Sequence, residues 1–160
     1  MTLDHLLDVT RTTMQNAKYC ILATQGDTRI NARVLQPFDP QSDWTIFFGT
    51  RSDSRKVVDI QQNPNTTLLY YDHDDIGYVS LQGTAKIVDD PVMRQQYWNA
   101  NWRIYFPKGP DEDYTLIQFV PDRLEVLSFG HGVTPEPYGL KPAVLIRNQG
   151  DWQIASPDSK

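Results

Sequence analysis

Apolar positions along the chain follow two periods, one helical and one typical of strands. Leu3, Leu6 and Met14 recur at helical spacing, which predicts an amphipathic helix over residues 3–16 with Thr2 as its N-cap. Later apolar residues alternate or form short runs bounded by glycine, proline, asparagine or aspartate, as strands do. This pattern predicts strands at 19–24, 29–36, 44–48, 66–71, 78–88, 115–129, 143–147 and 152–154.

Glycine or proline residues predict an end or an irregularity in three of these strands. Gly49 is expected to end the third strand, and Gly83 lies inside the fifth, where it predicts a bulge or a close backbone approach. Pro121 and Asp122 are expected to interrupt the sixth. The last two strands are joined by a turn at 148–151, so they predict a hairpin.

Short helices are predicted between strands. Residues 54–62 fit one, with Val57, Val58 and Ile60 facing inward. Either of the two residues before it, Ser52 or Asp53, is expected to cap it. A further helix is predicted from the Asp90-Pro91 pair to about Ala100.

This order of elements predicts one mainly β domain over residues 1–160, with short helices. Six or seven antiparallel strands are expected, in a closed or partly closed barrel with helices at its ends. Apolar residues make up 39% of the chain, enough for a core. Eleven prolines and nine glycines agree with many turns.

Charge and cysteine content narrow the function. The net charge of −5 shows no basic face for nucleic acid. An anion could therefore be held only by a local cluster of cations.

The first eight residues do not resemble a signal peptide, and no apolar run is long enough to span a membrane. Cys20 is the lone cysteine, expected as a buried core thiol, so a reducing cytoplasmic location is predicted.

The segment from Gly49 to Lys56 is the most informative candidate site. It follows a strand and opens a helix, whose N-terminus offers free N–H groups and a positive dipole end. Thr50 and Ser54 add hydroxyl donors, Arg55 a planar fork and Lys56 a point charge. The alternative is an ordinary capped surface helix. The segment is not a P-loop, because the glycines and lysine spacing are absent.

Two other segments could border a planar ligand. Arg33-Val34-Leu35-Gln36 ends a strand, where main-chain groups become available. The aromatic segment that includes Trp98, Trp102, Tyr105 and Phe106 could line a ring slot, form a subunit interface or simply pack the core.

The histidines indicate neither a metal site nor nucleophilic catalysis. His73 stands among aspartates, but the spacing matches no calcium loop. His5 lies on a helix flank and His131 in a glycine-flanked loop. No Ser/His/Asp or Cys/His arrangement stands out in the sequence.

These motifs resemble the pyridoxamine 5′-phosphate oxidase-like FMN-binding split-barrel superfamily, and in particular its general-stress-protein branch. The resemblance rests on Phe47-Phe48-Gly49-Thr50 followed by Ser54-Arg55-Lys56. It implies a homodimeric split barrel with flavin mononucleotide (FMN) at the interface. Arg55 and Lys56 would bind its phosphate beside Thr50. The strand Arg33-Val34-Leu35-Gln36 would run along the flavin ring.

The resemblance extends to four more positions. Tyr78 stands where the family has a glutamine near the ring, and Gln82 could take that role. Trp102 lies in the aromatic segment that, by this resemblance, would reach the flavin of the other subunit. Lys141 matches a basic residue near the phosphate or ring of true oxidases.

Departures from the oxidases concern the substrate side. Leu127 replaces a tryptophan that contacts flavin, and the terminal Arg-Leu-Ala-Pro is replaced by Ala155-Ser156-Pro157. Basic residues for a second phosphate are not evident. The expectation is an FMN-dependent oxidoreductase with an unknown small-molecule substrate other than pyridoxamine phosphate. The alternatives are a non-catalytic flavin store or redox sensor, or a barrel that uses a deazaflavin or haem. Fold analogy supplies no substrate, and no catalytic residue is predicted.

Overall fold

The computed structural model describes residues 1–155, which form mainly antiparallel β-structure with few short helices. This part of the chain has eight strands, one for each of the eight predicted segments, where six or seven were expected in the barrel. The helices are α1 (Leu3–Ala17), α2 (Arg55–Gln62), α3 (Pro91–Gln96) and a 3₁₀-helix (Ala100–Ile104). The strands are β1 (Cys20–Gln25), β2 (Ile30–Leu35), β3 (Ile46–Arg51), β4 (Asn65–Asp72), β5 (Gly77–Val88), β6 (Tyr114–Ser128), β7 (Ala143–Asn148) and β8 (Asp151–Ile154).

All eight strands form one sheet, consistent with a split barrel. Their order is β2-β1-β4-β5-β6-β7-β8, and β3 also pairs with β6. The 15-residue β6 is long enough to pair with β3 near its start and with β7 further along, while β5 follows its other edge. The sheet therefore divides at β6, and β2 and β3 are left at two separate edges.

The main core lies between α1, α2 and the inner face of the sheet. Leu6, Val9 and Met14 bury the apolar side of α1, and Thr2 caps it by accepting a hydrogen bond from the main chain of the first turn. Cys20 is 2% exposed, as predicted. Burial raises the pKa of its thiol to about 12, so the thiol stays neutral at physiological pH.

The predicted break in the sixth strand is a bulge. β6 runs through Pro121 without ending, and the register of its pairing with β5 shifts between Gln82 and Gly83. A Cβ on Gly83 would lie 2.1 Å from the carbonyl oxygen of Val120. The glycine therefore permits the close backbone approach that absorbs the extra residue.

Two predicted ends were misplaced. β3 continues through Gly49 to Arg51, because Gly49 pairs with Leu116 of β6. α3 ends at Gln96 rather than near Ala100, where the 3₁₀-helix begins. Within residues 1–155 no helix combines the length and apolar character needed to cross a bilayer.

The inward face of α2 also differs from the prediction. Val57 and Ile60 are buried as expected, but Val58 is 50% exposed and Asp59 is buried. The predicted side-chain cap was wrong as well. The N-cap is Ser54, whose side chain makes no capping hydrogen bond. Its hydroxyl group therefore does not satisfy the main-chain N–H groups at the start of the helix.

Candidate functional site

The loop between β3 and α2 is held against the start of β6. The main chain of Ser52 donates to Asp113 O at 3.0 Å, and its hydroxyl donates to Glu112 O at 3.0 Å. Thr115 on β6 donates to the same hydroxyl at 2.8 Å. Asp53 instead pairs with Arg51 on the surface. These contacts fix the position from which α2 starts.

A polar cluster forms where α2 begins. Lys56 Nζ donates to Thr50 Oγ1 at 2.8 Å, and Thr50 Oγ1 lies 3.3 Å from Ser54 Oγ. Burial lowers the pKa of Lys56, and the nearby positive charge of Arg33 lowers it further. No carboxylate pairs with Lys56 among residues 1–155. A half-buried cation without an acidic partner is stabilised by binding an anion.

Two arginines lie beside this cluster. Arg55 is exposed at the first residue of α2. Arg33, on β2, lies on the inner side of the strand and approaches Asp59 of α2, with NH2 3.7 Å from Oδ2. The structure therefore adds Arg33 to the cations around α2, whereas the sequence placed it beside a ring.

An aromatic cavity of about 340 Å³ lies beside β3, the strand that also carries Thr50. A backbone hydrogen bond from Phe38 N to Phe47 O (2.9 Å) draws the chain after β2 alongside β3. Gln36, Gly49 and Trp102 therefore reach one space, which Pro37, Phe38, Tyr105, Phe106 and Tyr114 also line. Gly49 immediately precedes Thr50 in β3, so this one strand contributes to both the cavity and the cluster.

Gly49 is required by the packing of Tyr114. A Cβ at this position would lie 2.4 Å from Cε2 of Tyr114. The tyrosine is fully buried, and its hydroxyl donates to Tyr97 O at 2.9 Å. The ring therefore cannot move aside without losing this hydrogen bond and its packing. The residue predicted to end a strand instead makes room for one wall of the cavity.

The other two residues of the predicted ring strand point to opposite sides. Val34 is 66% exposed on the outer face, and Leu35 packs partly against the core. Among the described strands β2 pairs only with β1. Its second edge therefore presents main-chain donors and acceptors, the groups that the polar edge of a flavin requires.

Gln82 and Lys141 are not brought to this cavity within one chain. Gln82 lines a second cavity of about 370 Å³, together with Thr24 and Thr67. Lys141 lines a third of about 440 Å³, together with Arg123 and Glu125. Their role at a flavin site stays a prediction.

Comparison with known proteins decides the family. The family described as "Pyridoxamine 5'-phosphate oxidase like" matches residues 6–132. The chain belongs to this family.

Individual relatives agree with the predicted general-stress-protein branch. General stress protein 26 of Bacillus subtilis is 27% identical over 89 residues, 54% of this chain and 64% of that protein, less than two thirds of its length. A Clostridium acetobutylicum structure, described as related to general stress protein 26 and of the pyridoxinephosphate oxidase family, has a TM-score of 0.72 at 19% identity. The alignment covers 91% of this chain and 96% of that one.

A second similar structure is named for its cofactor. The Nostoc punctiforme protein is described as pyridoxamine 5'-phosphate oxidase-related and FMN binding. It superposes with a TM-score of 0.70 at 22% identity, over 97% of this chain and 95% of that one. Similarity at this level of identity establishes a shared fold.

Two of the positions that depart from the oxidases, Leu127 and Ala155, lie within the described residues. Leu127 is buried in β6. Ala155 follows β8, whereas Ser156 and Pro157 lie outside the described residues.

One constellation was missed by the sequence reading. Asp75, Ser128 and His131 meet, with Nδ1 of His131 2.9 Å from the Asp75 carboxylate and 3.1 Å from the Ser128 hydroxyl. Ser128 also donates directly to Asp75. The serine and the aspartate share one ring nitrogen, and Ser128 is fully buried. Because a catalytic triad uses both ring nitrogens, this cluster is a loop contact and not a nucleophile.

Proposed function

We propose that the protein binds FMN, with the phosphate held at the start of α2 and the flavin ring beside β2 and β3. The observation that carries this proposal is the hydrogen bond from Lys56 to Thr50, whose hydroxyl lies beside that of Ser54. Lys56 is a cation with two hydroxyl groups nearby and no acidic partner among residues 1–155. Arg55 and Arg33 bring two more positive charges. Such a set of donors suits a phosphate monoester.

The aromatic cavity has the character of a ring site. It is concave and is lined by aromatic residues, one glutamine, a proline and a glycine. Ligand sites for planar organic groups have this composition, with few polar groups to fix orientation. The open edge of β2 would add main-chain hydrogen bonds. The FMN-binding Nostoc protein, which has the same fold, supports this choice of ligand.

We further propose that the protein is an FMN-dependent oxidoreductase acting on a small molecule other than pyridoxamine phosphate. Bound FMN would supply the electron-transfer chemistry. The residues of this chain would hold the phosphate, orient the ring and exclude water from the aromatic cavity.

A non-catalytic flavin store or redox sensor is the second candidate. It is favoured by the lining of the aromatic cavity, which within residues 1–155 contains no histidine, acid, lysine or arginine. Oxidation of a nicotinamide nucleotide with turnover by the flavin-loaded protein would favour the enzyme. Stable flavin binding without turnover of any electron donor would favour the store or sensor.

A homodimer is proposed from the outer face of the sheet. Ile21 and Val34 are directly paired in register there and are 40% and 66% exposed, and Tyr71 is 56% exposed. Neighbouring exposed apolar residues mark an interaction surface, and a two-fold dimer is the commonest assembly. Light scattering should show a dimer that Val34→Glu converts to a monomer. Val92→Glu, at an exposed valine of α3, is the matched control and should leave the dimer intact.

The cofactor is tested by the absorption spectrum of freshly purified protein and by mass spectrometry of the released ligand. Flavin bands with FMN released at about one per subunit support the proposal. A Soret band would indicate haem, and a different mass a deazaflavin. A colourless protein that takes up no added FMN would refute the assignment.

The phosphate site is tested by the double variant Arg55→Ala/Lys56→Ala. Hydrogen bonds to charged groups contribute roughly 1.5–3 kcal/mol each, so FMN binding should weaken by about 3 kcal/mol or more. Arg29→Ala/Lys86→Ala removes the same charges at exposed positions and should bind FMN normally. Unchanged FMN affinity in the first variant would remove the phosphate assignment.

A further inference from the structure

Asp59 is the buried acid of α2, one turn beyond the two cations of the same helix. It is 4% exposed. Burial alone would raise its pKa, but hydrogen bonds from Asn31 and Thr24 and the charges of Arg33 and Arg55 outweigh burial. The pKa therefore lies below its ordinary value. Asp59 is ionised in the interior, where an unpaired carboxylate would be very costly.

Its carboxylate is the meeting point of β1, β2 and α2. Oδ2 accepts from Thr24 Oγ1 at 2.7 Å and from Asn31 Nδ2 at 2.9 Å, and it lies 3.7 Å from Arg33 NH2. The three partners lie 26 to 35 residues before Asp59 in the sequence, on β1 and β2. One oxygen thus ties α2 to the strand that carries Arg33.

Arg33 is held from two sides by this network. Its NH1 donates to Thr24 Oγ1 at 2.7 Å and approaches Asn31 O at 3.2 Å and Leu22 O at 3.4 Å, while NH2 faces Asp59. Thr24 therefore accepts from the arginine and donates to the aspartate. Nε makes no hydrogen bond to any group of residues 1–155. The side-on edge formed by Nε and NH2 is the one that binds two oxygens of a phosphate.

We propose that Asp59 is a positioning residue for the anion site: it fixes the guanidinium of Arg33 so that its side-on edge faces the phosphate of the bound flavin. This role rests on the proposed function. Asp59 does not touch the ligand. It acts through Arg33, and the acid and the cations Arg55 and Lys56 sit on one short helix, so their relative placement is set by that helix.

The direction in which FMN affinity changes when Asp59 is removed distinguishes a positioning role from a purely electrostatic one. Asp59 is a negative charge close to a site for an anion, so removing it would tighten anion binding if charge alone mattered. Loss of positioning would weaken binding, and only for a ligand that carries the phosphate. A purely structural role would instead weaken the binding of phosphate-bearing and phosphate-free flavins alike.

The test is calorimetric titration of the full-length apoprotein with FMN and with riboflavin, which lacks the phosphate. We expect Asp59→Asn to weaken FMN binding about tenfold, the size of one charged hydrogen bond, and to leave riboflavin binding within about twofold. Asp53→Asn is the matched control, since it removes an exposed acid from the loop before α2 and should leave both affinities unchanged. Thermal unfolding shows whether each variant is folded.

A second variant covers the case in which Asp59→Asn does not fold. Thr24→Val removes the hydroxyl shared by Arg33 and Asp59 without changing any charge, and it should also weaken FMN but not riboflavin. Equal or tighter FMN binding in a folded variant, or the same loss for both flavins, would overturn the positioning role alone. Wild-type protein that binds no FMN would overturn the proposed function and this role together.

Discussion

Lys56 offers the sharpest test of whether the cluster at the start of α2 was built for a ligand. In Lys56→Met the ammonium is lost, while an unbranched side chain of similar length remains. Thr50 keeps its contact with Ser54, so its hydroxyl is not left without a partner. The repulsion between Lys56 and Arg33, which lowers the pKa of the lysine, disappears. The substitution should therefore separate the stability of the apoprotein from its affinity for FMN.

The two effects have opposite signs. Loss of one hydrogen bond to a charged phosphate costs roughly 1.5–3 kcal/mol, which is a weakening of FMN binding by about 10- to 150-fold. The apoprotein loses an unpaired, half-buried charge together with one hydrogen bond to Thr50. We expect a net gain in its unfolding free energy of about 0.5–1 kcal/mol, as is typical when a residue kept for function is replaced.

The pH dependence of apoprotein stability independently tests whether the charge of Lys56 is destabilising. The folded-state pKa of Lys56 lies below its ordinary value of 10.5, so between the two values the unfolded chain binds more protons. The penalty of the charge is present at neutral pH and is relieved as pH rises through the folded pKa. Relative to Lys56→Met, the wild-type apoprotein should become more stable as pH approaches 10.5.

Urea unfolding of the apoproteins and calorimetric titration with FMN measure both quantities. Lys86→Met, at an exposed lysine of β5, is the control and should change neither. The reasoning fails if Lys56→Met lowers apoprotein stability by more than about 1 kcal/mol, the size of an ordinary structural hydrogen bond. It also fails if FMN binds the variant as tightly as wild type.

Three further outcomes follow from individual contacts. Gly49→Val should destabilise the fold by about 1–3 kcal/mol, because its Cβ would meet the fixed ring of Tyr114; chemical denaturation measures this, and unchanged stability would refute the packing argument. Trp102→Ala removes a half-buried wall of the aromatic cavity, so stability should fall by about 2 kcal/mol and FMN should dissociate faster in stopped-flow experiments; an unaltered dissociation rate would place the ring elsewhere. Burial raises the pKa of Asp75, but hydrogen bonds from Ser128 and His131 outweigh it and leave that pKa below 3.8. Its contribution is therefore present above that pH and lost as pH falls through the folded pKa, and Ser128→Ala should unfold at a higher pH in acid titration; coincident acid transitions would contradict this.

Local features of the chain were predictable because they depend on residues close in sequence. Ser54, Arg55 and Lys56 follow a strand and open a helix, and Thr50 is only six residues before Lys56. A single turn and the first turn of a helix bring these groups together whatever the rest of the fold does. The same holds for the Thr2 cap, for the closing hairpin and for the bulge marked by Gly83.

The inward face of α2 shows where local pattern stops being informative. At about 100° per residue, Val58 and Asp59 each lie about 130° from the centre of the face formed by Val57 and Ile60. Periodicity therefore cannot choose between them, and hydrophobicity alone favours the valine. The structure buries the aspartate instead, because Thr24, Asn31 and Arg33 supply partners from two strands.

By itself, then, the sequence determined the mainly β class, the family and the short segment that carries two cations and two hydroxyl groups. Only the tertiary structure decided that Arg33 joins those cations, that Asp59 holds it, and that Gln36, Gly49 and Trp102 border one cavity. The physical reason is the distance along the chain. Contacts within one turn are fixed by local geometry, whereas partners dozens of residues apart meet only where strand register and helix packing place them.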